Sequence, residues 1–120
     1  MALDLQQQEA RDTINTNILV SASAGAGKTS VLVARLVKRC LNDEVPIQRI
    51  VALTFTKAAA EEMKARLSKS FQEELLHCTE SKKAYIQDQI VALEDADILT
   101  IDSYCLKLVK KYYTVIGLDP

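Results

Sequence analysis

Ala22-Ser23-Ala24-Gly25-Ala26-Gly27-Lys28-Thr29 decides how this chain folds. The spacing is that of a phosphate-binding loop, with Ala22 where the commonest form has its first glycine. Such a loop must point backbone N–H groups inward at phosphate oxygens, so Gly25 and Gly27 have to permit unusual φ and close approach. Small side chains throughout satisfy that need. Lys28 then reaches the β- and γ-phosphates as a point charge, and the Thr29 hydroxyl is the expected ligand of Mg²⁺. Ser30 completes the expected nucleotide-contact set, and the N-terminus of the following helix adds partial positive charge. The bland alternative is a small-residue turn that happens to contain Gly-Lys-Thr. The flanks argue against it, because the motif demands a buried strand before it and a helix after it.

Both flanks are present in the pattern. Upstream, Gln6 to Thr16 is polar and rich in helix formers, and Asn17-Ile18-Leu19-Val20 has the short apolar run of a buried parallel strand. Downstream, apolar residues at 32, 33, 36, 37, 40 and 41 predict an amphipathic helix over Val31 to Leu41, with Arg35, Lys38, Arg39 and Asn42 on its other side. A turn at Asn42 to Pro46 leads to a second continuous apolar run, Arg49 to Thr54, expected as another buried strand. Thr56 can cap the next helix, whose stripe is Ala60, Met63, Leu67, Phe71 and Leu75, with Glu61 and Glu62 in its first turns. After a polar turn at His77 to Lys82, Tyr85, Ile86, Gln89, Ile90 and Leu93 mark one more helix. A strand at Ile98 to Ile101 and a last helix from about Ser103 to Tyr113 follow. Strands alternating with helices predict an α/β fold, a parallel sheet flanked by helices, with ligands beyond the carboxyl ends of the strands.

Composition bounds the rest. The 120 residues suit one domain with a core, since apolar residues make up 48% and charged residues 26%. A net charge of −1 supplies no overall field toward nucleic acid or anionic membranes, so any DNA contact must be local. No apolar run approaches the ~18 residues needed to span a bilayer. Cys40, Cys78 and Cys105 lack the spacing of a zinc or iron–sulfur site, and no secretory signal opens the chain, which points to reduced core thiols in the cytoplasm. Cys40 and Cys105 fall on apolar helix faces, and His77 reads as a solvated helix-end residue.

Four segments together resemble the start of a superfamily 1 DNA helicase of the UvrD/Rep/PcrA kind. They are Gln7-Gln8-Glu9-Ala10, the phosphate loop, Thr54-Phe55-Thr56-Lys57-Ala58-Ala59-Ala60-Glu61-Glu62-Met63-Lys64, and Thr100-Ile101-Asp102-Ser103-Tyr104-Cys105. Within that family the chain most resembles the AddA (RexA) type of helicase–nuclease from Gram-positive recombination machinery. The resemblance implies a RecA-like phosphate-loop NTPase using ATP and Mg²⁺, acting on single-stranded and duplex DNA in double-strand break repair. It also implies a second helicase–nuclease subunit of the AddB (RexB) type as partner. Gln7, or Gln8 in the neighbouring register, matches the family glutamine on the adenine edge, which suits an amide carrying donor and acceptor together. Phe55 with Thr54, Thr56 and Lys57 matches the first single-strand contact, an aromatic ring stacked on a base beside phosphate-holding groups.

The third motif departs from the family pattern. Asp102 stands where His is common, and a carboxylate cannot donate to a phosphate, so Asp102 is expected to cap the last helix while Thr100 and Ser103 supply the DNA contact. Lys107, Lys110 and Lys111 are expected on a solvated face. Hydrolysis further needs a strand-end carboxylate and arginines. No strand ending in paired acids follows the third motif, so residues 1–120 are expected to be the N-terminal part of a first motor domain, ending before its acidic motif and inactive alone. The rival readings are a stand-alone repair helicase without nuclease, a small phosphate-loop kinase, and a non-catalytic nucleotide-binding module. The Thr-Phe-Thr element and its Ala/Glu helix offer neither the arginine lid nor the substrate pocket of a kinase.

Overall fold

Leu67 and Phe71 lie one helical turn apart, are fully buried, and have the rest of the fold arranged around them. The structure is a computed structural model that describes residues 3–20 and 27–117. Its elements are α1 (Leu5–Asp12), α2 (Lys28–Val37) continuing into a π-helical turn (Lys38–Asn42), a 3-10 turn (Ile47–Arg49), β1 (Val51–Thr54), α3 (Lys57–His77), α4 (Glu80–Ala92), a second 3-10 turn (Leu93–Asp95), β2 (Asp97–Thr100) and α5 (Ile101–Ile116). The strands pair in parallel, Val51 opposite Asp97 and Thr54 opposite Thr100, with α3 and α4 forming the crossover between them. The result is a helix-rich α/β unit on a small two-stranded sheet.

The expected stripes carry the packing. Ala60, Met63, Leu67 and Phe71 of α3 are buried, and Met63, Leu67 and Phe71, with Leu75 packed at the margin, share one core with Val33, Leu36, Cys40 and Leu41 from α2 and its π turn. Ile86 and Leu93 close the core from the α4 side, while Ala52 and Ile98 supply it from the sheet. Among the described residues one polar side chain, Gln89, lies inside. Gln89 Oε1 accepts from the Ile47 backbone N–H at 2.7 Å and faces the Cys40 Sγ at 3.7 Å, while the Tyr85 hydroxyl donates to the Cys40 carbonyl at 2.6 Å. One backbone group of the π turn, the Cys40 carbonyl, and one of the following 3-10 turn, the Ile47 N–H, are thus each met by an α4 side chain, as burial requires. Burial also pushes the Cys40 thiol up to about 11.

Polar contacts attach α1. The Arg35 guanidinium donates to the carbonyls of Ala10 at 3.0 Å and Thr13 at 2.6 Å, meeting the orphan acceptors at the end of that helix. Lys38 adds a longer approach to Asp12 at 3.9 Å.

Several expectations are corrected. Asn17–Val20 forms no strand; Leu19 is 95% exposed, because no described strand lies beside it to complete a ladder. The two strands that do form are covered on one face only, so Val51 and Leu53 stay exposed despite the continuous apolar run. Cys105 is exposed on α5 rather than in the core, since no described element packs over that side of the helix; Cys40 is buried as expected. The helix cap falls on Thr100, and α5 begins two residues earlier than its pattern suggested. Asp102 is an exposed first-turn residue there, where the helix dipole favours its charge.

Candidate functional site

The glycine loop meets α2 at Gly27, which has φ +81° and ψ +22°, the left-handed conformation that a residue without Cβ adopts cheaply. Lys28 and Thr29 follow as exposed residues of the first helical turn. No side chain caps α2 among the described residues, and its first turn carries no acid. Its leading N–H groups and its dipole are thus directed at whatever lies before the helix, the arrangement that favours an anion. Ala22, Ser23, Ala24, Gly25 and Ala26 lie outside the described residues.

Lys28 and Val31 form one wall of an open cavity of about 600 Å³ whose other walls include Gln7, Ala10, Thr13 and Ile18. Gln7 and Lys28, twenty-one positions apart in sequence, therefore line the same space. Gln7 is held there by a reciprocal cap: its N–H donates to Asp4 Oδ1 at 2.8 Å, and its Oε1 accepts from the Asp4 N–H at 3.0 Å. That leaves the Gln7 amide NH₂ with no partner among the described residues. Gln8 instead donates to the Leu3 carbonyl at 2.9 Å and lines a separate groove between α2 and α3. Ser30 lines that groove too, where its hydroxyl accepts from the Arg66 guanidinium at 2.8 Å. No group of three or more His, Cys, Asp or Glu side chains able to hold a metal occurs among the described residues.

A second constellation sits at the carboxyl ends of the strands. Thr54 and Thr100 are register partners, so the segments that follow them, and the helices α3 and α5, start side by side. Thr56 Oγ accepts from the Ala59 N–H and Thr100 Oγ from the Ser103 N–H, each at 3.1 Å. The Thr54 hydroxyl donates to the Thr56 carbonyl at 2.9 Å, and the Thr100 hydroxyl donates to the Ser103 Oγ at the same distance. These hydroxyls shape the two helix starts, which any anion there would meet through their dipoles. Phe55, in the short segment between β1 and α3, is 94% exposed. Lys57 is exposed beside it, and Lys107 is tied to Asp97 by an ion pair that raises its pKa.

Sequence reasoning missed Arg35, Tyr85 and Arg66 as structural contacts and found Gln89 only as a face residue. A glutamine on an otherwise apolar helix face was the one available signal, since a buried amide needs a partner.

The chain is thus a parallel α/β unit with an uncapped helix start behind a glycine and two more helix starts at the carboxyl ends of its strands. The model of the UvrD/REP helicase N-terminal domain matches residues 3–120, and the chain belongs to that family. It is 45% identical to the A subunit of the ATP-dependent helicase/nuclease of Leuconostoc mesenteroides subsp. mesenteroides, over 95% of its length and 9% of that relative. It is 42% identical to the protein of the same name from Alkaliphilus metalliredigens, covering 96% of the chain and 10% of the relative, and 43% identical to that of Clostridium acetobutylicum, covering 96% and 9%. The chain thus spans about a tenth of the length of these relatives. No helix among the described residues is long and apolar enough to cross a membrane.

Proposed function

We propose that residues 1–120 are the N-terminal part of the first RecA-like motor domain of an ATP-dependent DNA helicase/nuclease that works in double-strand break repair and recombination. Family membership and the shared name of the relatives favour this over a stand-alone repair helicase. The observation that carries the nucleotide part is the cavity common to Gln7 and Lys28. ATP fits it chemically: Lys28 and the uncapped start of α2 would take the phosphates, and the free amide NH₂ of Gln7 would take the adenine edge. Mg²⁺ on the Thr29 hydroxyl would neutralise charge between the phosphate groups.

Phe55 would stack on a base of single-stranded DNA, with Lys57 and the starts of α3 and α5 drawing the flanking phosphates. Such stacking has no sequence preference, as a translocating motor requires. The relatives are each named as one subunit of a helicase/nuclease, which supports a second, different subunit in the assembly; the whole would work in the cytoplasm, where the chromosome is.

The test uses the full-length protein. Lys28→Ala should lower single-strand-stimulated ATP hydrolysis at least about a hundredfold, in the range seen when one charge-stabilising group is removed from an active site. Phe55→Ala should weaken oligothymidylate binding by ~1–3 kcal/mol at fixed salt. Unchanged hydrolysis in the first variant would end the nucleotide assignment, and unchanged DNA affinity in the second would end the DNA assignment.

A further inference from the structure

We infer that Arg66 is a positioning residue that couples the strand-end DNA contact to the nucleotide site, acting through the hydroxyl of Ser30. The inference rests on the proposed readings of Lys28 and of Phe55. Its basis is a single contact. The Arg66 guanidinium donates to Ser30 Oγ at 2.8 Å, the one side-chain hydrogen bond from α3 to α2 among the described residues. Ser30 shares the first turn of α2 with Lys28 and Thr29, so a shift at Ser30 is carried to the turn that holds those two side chains.

The other end of the link is the start of α3. Phe55 and the capping Thr56 lead directly into this helix, and Arg66 stands ten residues beyond the cap, ~15 Å along the axis. Between them α3 is not free to bend. Ala60, Met63 and Leu67 are buried in one stripe, and Lys64 donates to the Glu94 carbonyl at 2.9 Å, fixing the same stretch to the turn that enters β2. A close-packed helix transmits a displacement of its start as a rigid body. A base stacking on Phe55 would therefore be felt at Arg66, and from there in the turn that carries Lys28. Reciprocity requires the opposite effect as well: nucleotide must change DNA affinity by the same factor.

The experiment measures that factor in the full-length protein. Affinity for a non-hydrolysable ATP analogue is determined with and without saturating oligothymidylate, and oligothymidylate affinity with and without the analogue. Arg66→Met keeps a long apolar side chain at this half-buried position and removes the donor. It should reduce the coupling factor at least about fivefold, the lower end of ordinary allosteric coupling. Each affinity measured alone should stay within about twofold of the parent. Arg66→Lys, which still donates, should restore most of the coupling. Ser30→Ala should lower coupling as Arg66→Met does, and the double variant should go no further.

Full coupling in an Arg66→Met protein of unchanged melting temperature overturns the inference, as does additivity of the two single changes. Loss of either separate affinity overturns it too, since Arg66 would then support a site rather than link two. Failure of the underlying readings looks different: there Lys28→Ala leaves analogue binding intact or Phe55→Ala leaves oligothymidylate binding intact.

Discussion

The two faces of the β1–β2 pair are built from similar residues and meet opposite fates. On one, Ala52 and Ile98 are buried under α3 and the Leu67–Phe71 stripe. On the other, Val51 and Leu53 remain 46% and 44% exposed, and the apolar side chains Ile101, Leu106 and Val115 of α5 are exposed as well. The difference is one of coverage rather than chemistry. Hydrophobicity gives a side chain a reason to be buried, but burial happens only where another element supplies the second wall. The covered face also carries the polar precision of the molecule, because a desolvated backbone group must find a partner and an exposed one need not.

Four substitutions would break or sharpen that contrast when measured by chemical denaturation of the 120-residue chain. The largest effect is expected for Phe71→Ala, at about 3–5 kcal/mol, since the side chain is fully enclosed and the cavity cannot refill. Gln89→Leu should cost about 1–3 kcal/mol by leaving the Ile47 N–H buried without an acceptor. A cost below that range would mean the turn at Ile47 is reached by water, and the covered face is less dry than its packing suggests.

Cys40 provides a pH test of the same face. Its thiol is raised from 9.0 to about 11, so between those values the unfolded chain releases a proton that the folded chain keeps. Stability contributed by this group is intact below pH 9 and falls as pH rises toward 11. Cys40→Ala should therefore show a shallower loss of stability across that window than the parent. The smallest effect belongs to the open face: Leu53→Thr should change stability by less than about 0.5 kcal/mol, as for other exposed positions away from special contacts. A much larger cost of Leu53→Thr in a full-length protein would show that a later part of the chain covers this face.

Much of the covered side was legible in advance, because it depends on short-range periodicity. The α3 stripe from Ala60 to Phe71, its Thr56 cap, the α4 face with Ile86 and Gln89, and the order of helices and strands after the glycine loop all follow from which residues recur every three to four positions. The misreadings share one cause. The run at Asn17–Val20, the supposed full burial of β1 and the placing of Cys105 in a core were each inferred from apolar character alone, and each needed a neighbour that the sequence does not specify. Asp102 failed differently, by competition: Asp and Thr both cap helices well, and Thr100 sat at the residue where the helix began.

The sequence by itself determined the local elements and the chemistry available at their ends: a glycine before Lys28 and Thr29, threonines around Phe55, and glutamines ahead of the first apolar run. Only the tertiary structure decided which of these share a space. It set Gln7 rather than Gln8 in the cavity that Lys28 lines, aligned Thr54 with Thr100, and joined Arg66 to Ser30 across thirty-six residues of chain. The physical reason is that periodicity fixes a side chain's direction relative to its own helix or strand, whereas proximity between elements is settled by packing, to which every buried residue contributes at once.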